Sequence, residues 1–208
     1  LYEGLSERAP RLGNRMYAVL LLALVPLIWN TLSDPDDTMR RLAQTIKANP
    51  EVARQFGVRV HSFAANRGKG HALLAGFDLL ADFDAIVTLD ADGQHPPHCF
   101  PAFVAAAENG ADLVLGTRVI TPDMPPLRRF ANRFSSSWCS LIAGQRISDS
   151  QCGYRLYRRE VIRGTPVRAS RYEVETELAV RAARLGFRVA EVEIPTVYGD
   201  EQSHLSPT

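Results

Sequence analysis

Cysteine is scarce: Cys99, Cys139 and Cys152 are the only three in 208 residues. They are odd in number and far apart, with no C-x-x-C pair and no Cys/His cluster. That argues against a disulfide scaffold and a structural zinc site. A reduced, cytosolic compartment is expected, with Cys139 and Cys99 as core fillers. Charge of one sign is missing too. Lys and Arg number 24 against 23 Asp and Glu, a net charge of +1, which gives no signal for nucleic acid or an acidic partner. There is no long apolar run. Met16 to Trp29 is apolar but broken by Pro26, too short for a bilayer, which needs about 20 residues. It has no small-residue cleavage site of a signal peptide, so a buried strand is the better reading. Repeats and low-complexity tracts are absent. What remains is ordinary for one globular domain, with 46% apolar and 23% charged residues.

The apolar pattern then alternates between strand and helix periods. Asp34 is placed as an N-cap before Pro35, Asp36 and Asp37, and Met39, Leu42, Ala43 and Ile46 follow as a helical stripe. Val58 to Phe63 reads as a strand, Ala72 to Leu80 as a helix buried nearly all round, and Asp84 to Leu89 as the next strand. Phe100, Phe103, Val104 and Ala107 mark a helix, Leu113 to Leu115 a strand, Tyr172 to Leu185 a helix closed by Gly186, and Arg188 to Ile194 a last strand. This alternation argues an α/β, doubly wound, mostly parallel sheet flanked by helices.

The loops carry the chemistry. Leu89-Asp90-Ala91-Asp92-Gly93-Gln94 follows the run Ala85 to Thr88. It places two carboxylates, spaced i, i+2, and an amide at the carboxyl end of a strand, where open α/β sheets bind ligands. Hard oxygen donors there suit Mg²⁺ or Mn²⁺ shared with substrate phosphates, although Asp and Gly also make plain turns. Asn66-Arg67-Gly68-Lys69-Gly70 lies between a strand and a helix, where glycines admit a ligand to the backbone and a helix N-terminus attracts an anion. It is not a Walker A loop. Gly116-Thr117-Arg118 puts an arginine, able to fork onto a phosphate, at another strand end. Asp149 to Arg155 is a polar loop whose carboxylate can orient a substrate or act as a base, or simply cap the loop. Glu173, Glu175 and Glu177 open the last helix, where most glutamates serve the dipole.

The order of these pieces is more specific than any one of them. N-R-G-K-G, L-D-A-D-G-Q-H-P, G-T-R, D-S-Q-C-G-Y-R, Y-E-V-E-T-E-L and I-P-T-V-Y-G-D-E-Q-S-H follow one another from Asn66 to His204. Together they resemble the family 2 glycosyltransferases, and most of all their dolichol-phosphate mannosyltransferase-like, polyprenyl-phosphate branch. The resemblance implies a GT-A fold and an inverting transfer of a sugar from a UDP- or GDP-sugar donor to an acceptor, a polyprenyl or dolichyl phosphate, with Mg²⁺ or Mn²⁺. It assigns Asp90, Asp92 and Gln94 to the metal, with Asp90 also reaching the donor. Gly68 and Lys69 would lie beside the nucleotide, and Arg118 would face the phosphates. Asp149 and Gln151 would line the sugar and acceptor side. Ser203 and His204 would belong to a loop closing over donor and metal.

The resemblance further implies a single domain over residues 1–208, with 1–65 an atypical or truncated nucleotide-binding part and 66–208 the metal, sugar and acceptor part. The family opens with two strands, whereas here only Met16 to Ile28 offers one. The first strand is therefore expected to be missing, and no base-binding residue is carried over from this region. Leu127, Phe130, Ala131, Phe134, Trp138, Leu141 and Ile142 form one helical face, with Arg128, Arg129, Asn132 and Arg133 off it near the helix start. The preferred expectation puts that face in the core. The alternative lays it on an anionic membrane surface, making a cytoplasmic protein peripheral at the membrane. Nucleic acid is not an expected partner. Two other functions stay open: an impaired GT-A domain acting as a binding module, and a nucleotidyltransferase.

Overall fold

A computed structural model describes residues 17–21, 61, 63, 67–90, 94–119, 126–168 and 173–196. Among these residues the centre is a five-stranded sheet with spatial order β1-β2-β4-β3-β5. The strands are β1 (Tyr17–Leu21), β2 (Ala85–Leu89), β3 (Leu113–Arg118), β4 (Arg155–Arg158) and β5 (Val189–Ile194). β1 runs parallel to β2, with Tyr17 opposite Ala85, and β5 runs parallel to β3, with Leu113 opposite Val189. β4 is inserted antiparallel between β2 and β3, so that Leu156 stands opposite both Val87 and Val114. The sheet is thus mixed, with four strands parallel and one reversed.

Side chains alternate across β2, β3, β4 and β5 and feed two separate cores. Ile86, Leu113, Leu115 and Tyr157 point to one face. There they meet Leu73 and Phe77 of α1 (Lys69–Leu79), Cys139 and Ala143 of α3 (Pro126–Ala143), Val161 of α4 (Arg159–Gly164) and Leu178 of α5 (Glu173–Arg184). Ala85, Val87, Leu89, Val114 and Leu156 point to the other face, against Phe103, Val104 and Ala107 of α2 (Phe100–Glu108). Helices on both faces explain why β2 is buried at all five positions and apolar at all but Thr88. All three cysteines are buried thiols, none of them in a disulfide.

Two expectations change. α1 buries Gly70, Leu73, Gly76 and Phe77 along one side only, and Leu79 is exposed. α3 is turned inside out relative to the expected core helix. Phe130, Phe134, Trp138 and Leu141 are 68%, 57%, 52% and 72% exposed, while Asn132, Ser136 and Cys139 face inward. The reason is hydrogen bonding: the loop after α3 is hung on its small polar side chains. Ser140 Oγ accepts from the Ile147 amide at 2.9 Å, and Ser136 Oγ accepts from the Ser150 amide at 3.2 Å. A bulky aromatic face could not approach that loop. Gly186, at φ 87°, closes α5 as expected. The expected helix from Asp34 and four of the six residues of the strand at 58–63 lie outside the described residues.

Candidate functional site

Two charged assemblies sit at the carboxyl edge of the parallel strands. The first is built on Asp90, which leaves the end of β2. Its backbone N–H donates to His95 Nδ1 at 2.9 Å, so a neutral His95 carries its proton on Nε2. That nitrogen lies 3.9 Å from Asp90 Oδ2 and 3.7 Å from Cys152 Sγ. Thr88 Oγ1 donates to the Gly153 carbonyl at 2.8 Å, tying the loop before β4 to β2. Gly153 is a close-approach glycine: a Cβ there would lie 2.4 Å from Asp90 Oδ2. Burial pushes the Cys152 thiol up to about 12, the nearby Asp149 charge adding to it. It is therefore no nucleophile at neutral pH.

Lys69 opens α1 directly opposite Asp90. Its ammonium lies 2.6 Å from Asp90 Oδ1 and 2.8 Å from Glu175 Oε2 of α5. Burial pulls the Lys69 pKa down, but the charges of Asp90 and Glu175 outweigh it, and the pKa ends above its ordinary value. Gly68, before it, has φ 85° and open space where a Cβ would stand. Its glycine is required by backbone conformation, and the tight approach to the site is at Gly153 instead.

The second assembly joins β3 to the loop before β4. Arg118 forks onto Asp149, Nε to Oδ2 at 2.7 Å and Nη2 to Oδ1 at 3.0 Å. The Gln151 amide donates to Asp149 Oδ1 at 3.1 Å. Asp149 is 2% exposed. Burial alone would raise its pKa, but the bonds and charge of Arg118, with the amides of Gln151 and Arg118, hold it below the usual carboxylate range. So bound, it is a poor proton acceptor. Gly116 makes the strand exit possible: a Cβ there would lie 2.8 Å from the Tyr154 carbonyl.

Sequence reasoning passed over the residue that unites these loops. Arg155 is fully buried and donates to three carbonyls, of Cys152 at 2.7 Å, Ser150 at 2.8 Å and Glu175 at 2.5 Å. The 150–153 loop and the start of α5 are therefore fixed to each other. Its signal was an arginine inside the alternation of Arg155-Leu156-Tyr157-Arg158, read instead as the end of a polar loop. Of the three helix-start glutamates, Glu175 faces the site. Glu177 pairs with Arg181 at 2.7 Å on the helix surface.

Of the expected site residues, the structure brings Lys69, Asp90, Arg118, Asp149 and Gln151 to this edge. Asp92, Ser203 and His204 lie outside the described residues. The oxygen donors fit a divalent cation in kind. Asp90 is seated in a cradle that a Cβ on Gly153 would fill, and two carboxylates against one ammonium leave the Lys69 trio at −1. Among the described residues, no three His, Cys, Asp or Glu side chains cluster to hold a metal alone.

The family model of glycosyl transferase family 2 matches residues 33–165, and the chain belongs to that family. It is 32% identical over 171 residues to polyprenol monophosphomannose synthase of Mycolicibacterium smegmatis, covering 77% of this chain and 62% of that protein. Undecaprenyl-phosphate mannosyltransferase of Micrococcus luteus is 31% identical over 159 residues, covering 72% of this chain and 65% of its own length. The chain thus spans less than two thirds of these relatives. Glucosyl-3-phosphoglycerate synthase of Mycobacterium tuberculosis, solved with Mn²⁺, UDP-glucose and phosphoglyceric acid, has a similar fold. The TM-score is 0.65 at 20% identity, over 93% of this chain and 74% of that one. At that identity the likeness speaks for the fold alone, which is GT-A.

Proposed function

We propose that this chain is the catalytic core of an inverting transferase that moves a sugar from a UDP- or GDP-sugar to a polyprenyl or dolichyl phosphate. One observation carries the reading furthest. Asp149, which grips Arg118 at the end of β3, sits in a loop hung on the inner side of α3, whose outer side is an exposed aromatic face. An anion-binding arginine and a lipid-compatible surface thus belong to one structural unit. The polyprenyl-phosphate and undecaprenyl-phosphate names of the relatives favour the same acceptor.

The acceptor phosphate, with a second pKa of about 6, is largely dianionic at neutral pH. One of its oxygens attacks the anomeric carbon, and the bond from that carbon to the diphosphate oxygen breaks with its electron pair. No proton has to be removed, so a general base is unnecessary. This agrees with Asp149 being held by Arg118. In this reading Arg118 neutralises phosphate charge, Asp149 and the Gln151 amide orient Arg118, and the N-terminus of α1 with Gly68 and Lys69 faces the nucleotide diphosphate. Asp90, Asp92 and Gln94 would hold a divalent ion, which when bound neutralises the leaving diphosphate. Ser203 and His204 would close over the donor. Residues 1–208 would form one domain, with the base-binding part in 1–65.

Along α3 Phe130 stacks on Phe134 and Trp138 meets Phe134 edge-on, each with ring centroids 6.2 Å apart, and Arg133 is exposed beside them. Such a face suits a peripheral contact with an anionic membrane surface. No described helix is long and apolar enough to cross a membrane. Calorimetry with UDP and GDP, with and without Mn²⁺, tests the donor half. The reading predicts ion-dependent binding of one nucleotide, abolished in Asp92→Ala. Binding of neither nucleotide would contradict it.

A further inference from the structure

Asp90 already has a cation. Lys69 Nζ lies 2.6 Å from its Oδ1, inside the ion-pair distance. Any divalent ion that takes Asp90 as an inner ligand must displace or share with this ammonium, because two cations on one carboxylate repel each other. The same ammonium has a second anchor, Glu175 Oε2 at 2.8 Å. Glu175 is only 7% exposed, and its Oε1 has no hydrogen-bond partner among the described residues. Among the described residues that oxygen is acceptor capacity to spare for Lys69. Arg155 fixes the Glu175 backbone from beneath, so the acceptor stays in place while the ammonium moves.

We propose that Lys69 and a divalent cation compete for Asp90, and that Glu175 receives the Lys69 ammonium when the cation binds. This rests on the transferase reading only in taking Asp90 as a metal ligand. Lys69 then acts as a resident counter-ion that keeps the Asp90 carboxylate compensated before the cation arrives. Glu175 is a positioning residue, acting through Lys69 and touching neither metal nor donor.

The two residues have opposite expected effects on the same measurement, which a merely structural role would not produce. Binding of Mn²⁺ to the full chain is measured by loss of the free-ion electron paramagnetic resonance signal, alone and with UDP or GDP. Lys69→Met removes the competitor and keeps the apolar stem. It should tighten Mn²⁺ about tenfold, the effect of deleting one cation beside a carboxylate. Glu175→Gln removes the alternative anchor and should weaken Mn²⁺ several-fold. In an Asp90→Asn background the gain from Lys69→Met should vanish. Unfolding midpoints of each variant check that the fold is kept. If the wild type binds Mn²⁺ but Lys69→Met weakens it or leaves it unchanged, the competition is refuted and the transferase reading stands. If no variant takes up Mn²⁺ with or without nucleotide, both are refuted. Uptake by Lys69→Met alone supports the competition strongly.

Discussion

Gly153 and Asp90 meet across the boundary between β2 and the loop before β4, so closely that a Cβ on Gly153 would lie 2.4 Å from Asp90 Oδ2. The displaced atoms would be the end of a side chain, so Gly153→Ala should cost only about 1 kcal/mol of stability, the low end of overpacking. It should move the Asp90 carboxylate off its seat and weaken Mn²⁺ about tenfold to a hundredfold, as outer-shell changes do. Mn²⁺ titration beside a thermal melt checks this. An unchanged Mn²⁺ affinity would show that the seat is irrelevant.

Asp149→Asn removes a buried carboxylate from a two-pronged arginine pair. The folded-state pKa of Asp149 lies below its ordinary value of 3.8. Its contribution is therefore fully present above that value and is lost as pH falls through the lower, folded value. Urea unfolding should show the variant about 2 kcal/mol less stable at pH 7. The gap should hold down to about pH 4 and close below it. Equal stability at pH 7 would contradict the pairing.

Arg155→Met should destabilise by about 3 kcal/mol, because three buried carbonyls lose a charged donor. Lysine should rescue only part of this, since one ammonium cannot match the planar fork to all three acceptors. Thermal unfolding of both variants measures it. A full rescue by lysine would show that charge alone suffices.

Phe134→Ser with Trp138→Ser tests the outer face of α3. Both side chains are more than half exposed, so stability should change by about 0.5 kcal/mol or less per site. Sedimentation with vesicles of anionic lipid should fall at least several-fold. A large stability loss with vesicle binding intact would make this face a structural contact instead.

The strand order of the sheet was not readable from the chain, because β4 is only four residues long and bounded by arginines. What was readable followed from two-sided burial: Leu113–Leu115, and Ala85–Leu89 but for Thr88, are apolar because helices cover both faces. The apolar face of α3 points outward rather than into the core, and periodicity shows that a helix has an apolar face but not which way it points. Only the loop bonds of Ser136 and Ser140 decide that. Lys69, Asp90, Arg118 and Asp149 were legible as strand-end and loop residues, whereas their pairings were not. Glu175 could not be told from Glu173 and Glu177, because selecting it needs the position of Lys69 on a distant helix.

The central claim is tested most directly by transfer itself. The full chain is incubated with UDP- and GDP-sugars, Mn²⁺ or Mg²⁺, and polyprenyl phosphate in anionic vesicles, and the lipid fraction is analysed for a sugar linked through one phosphate. The account predicts a lipid-linked sugar of inverted anomeric configuration, formed from one of the two nucleotide donors and lost in Arg118→Ala. Sugar transferred to a soluble acceptor but never to the lipid phosphate, or a product of retained configuration, would contradict it.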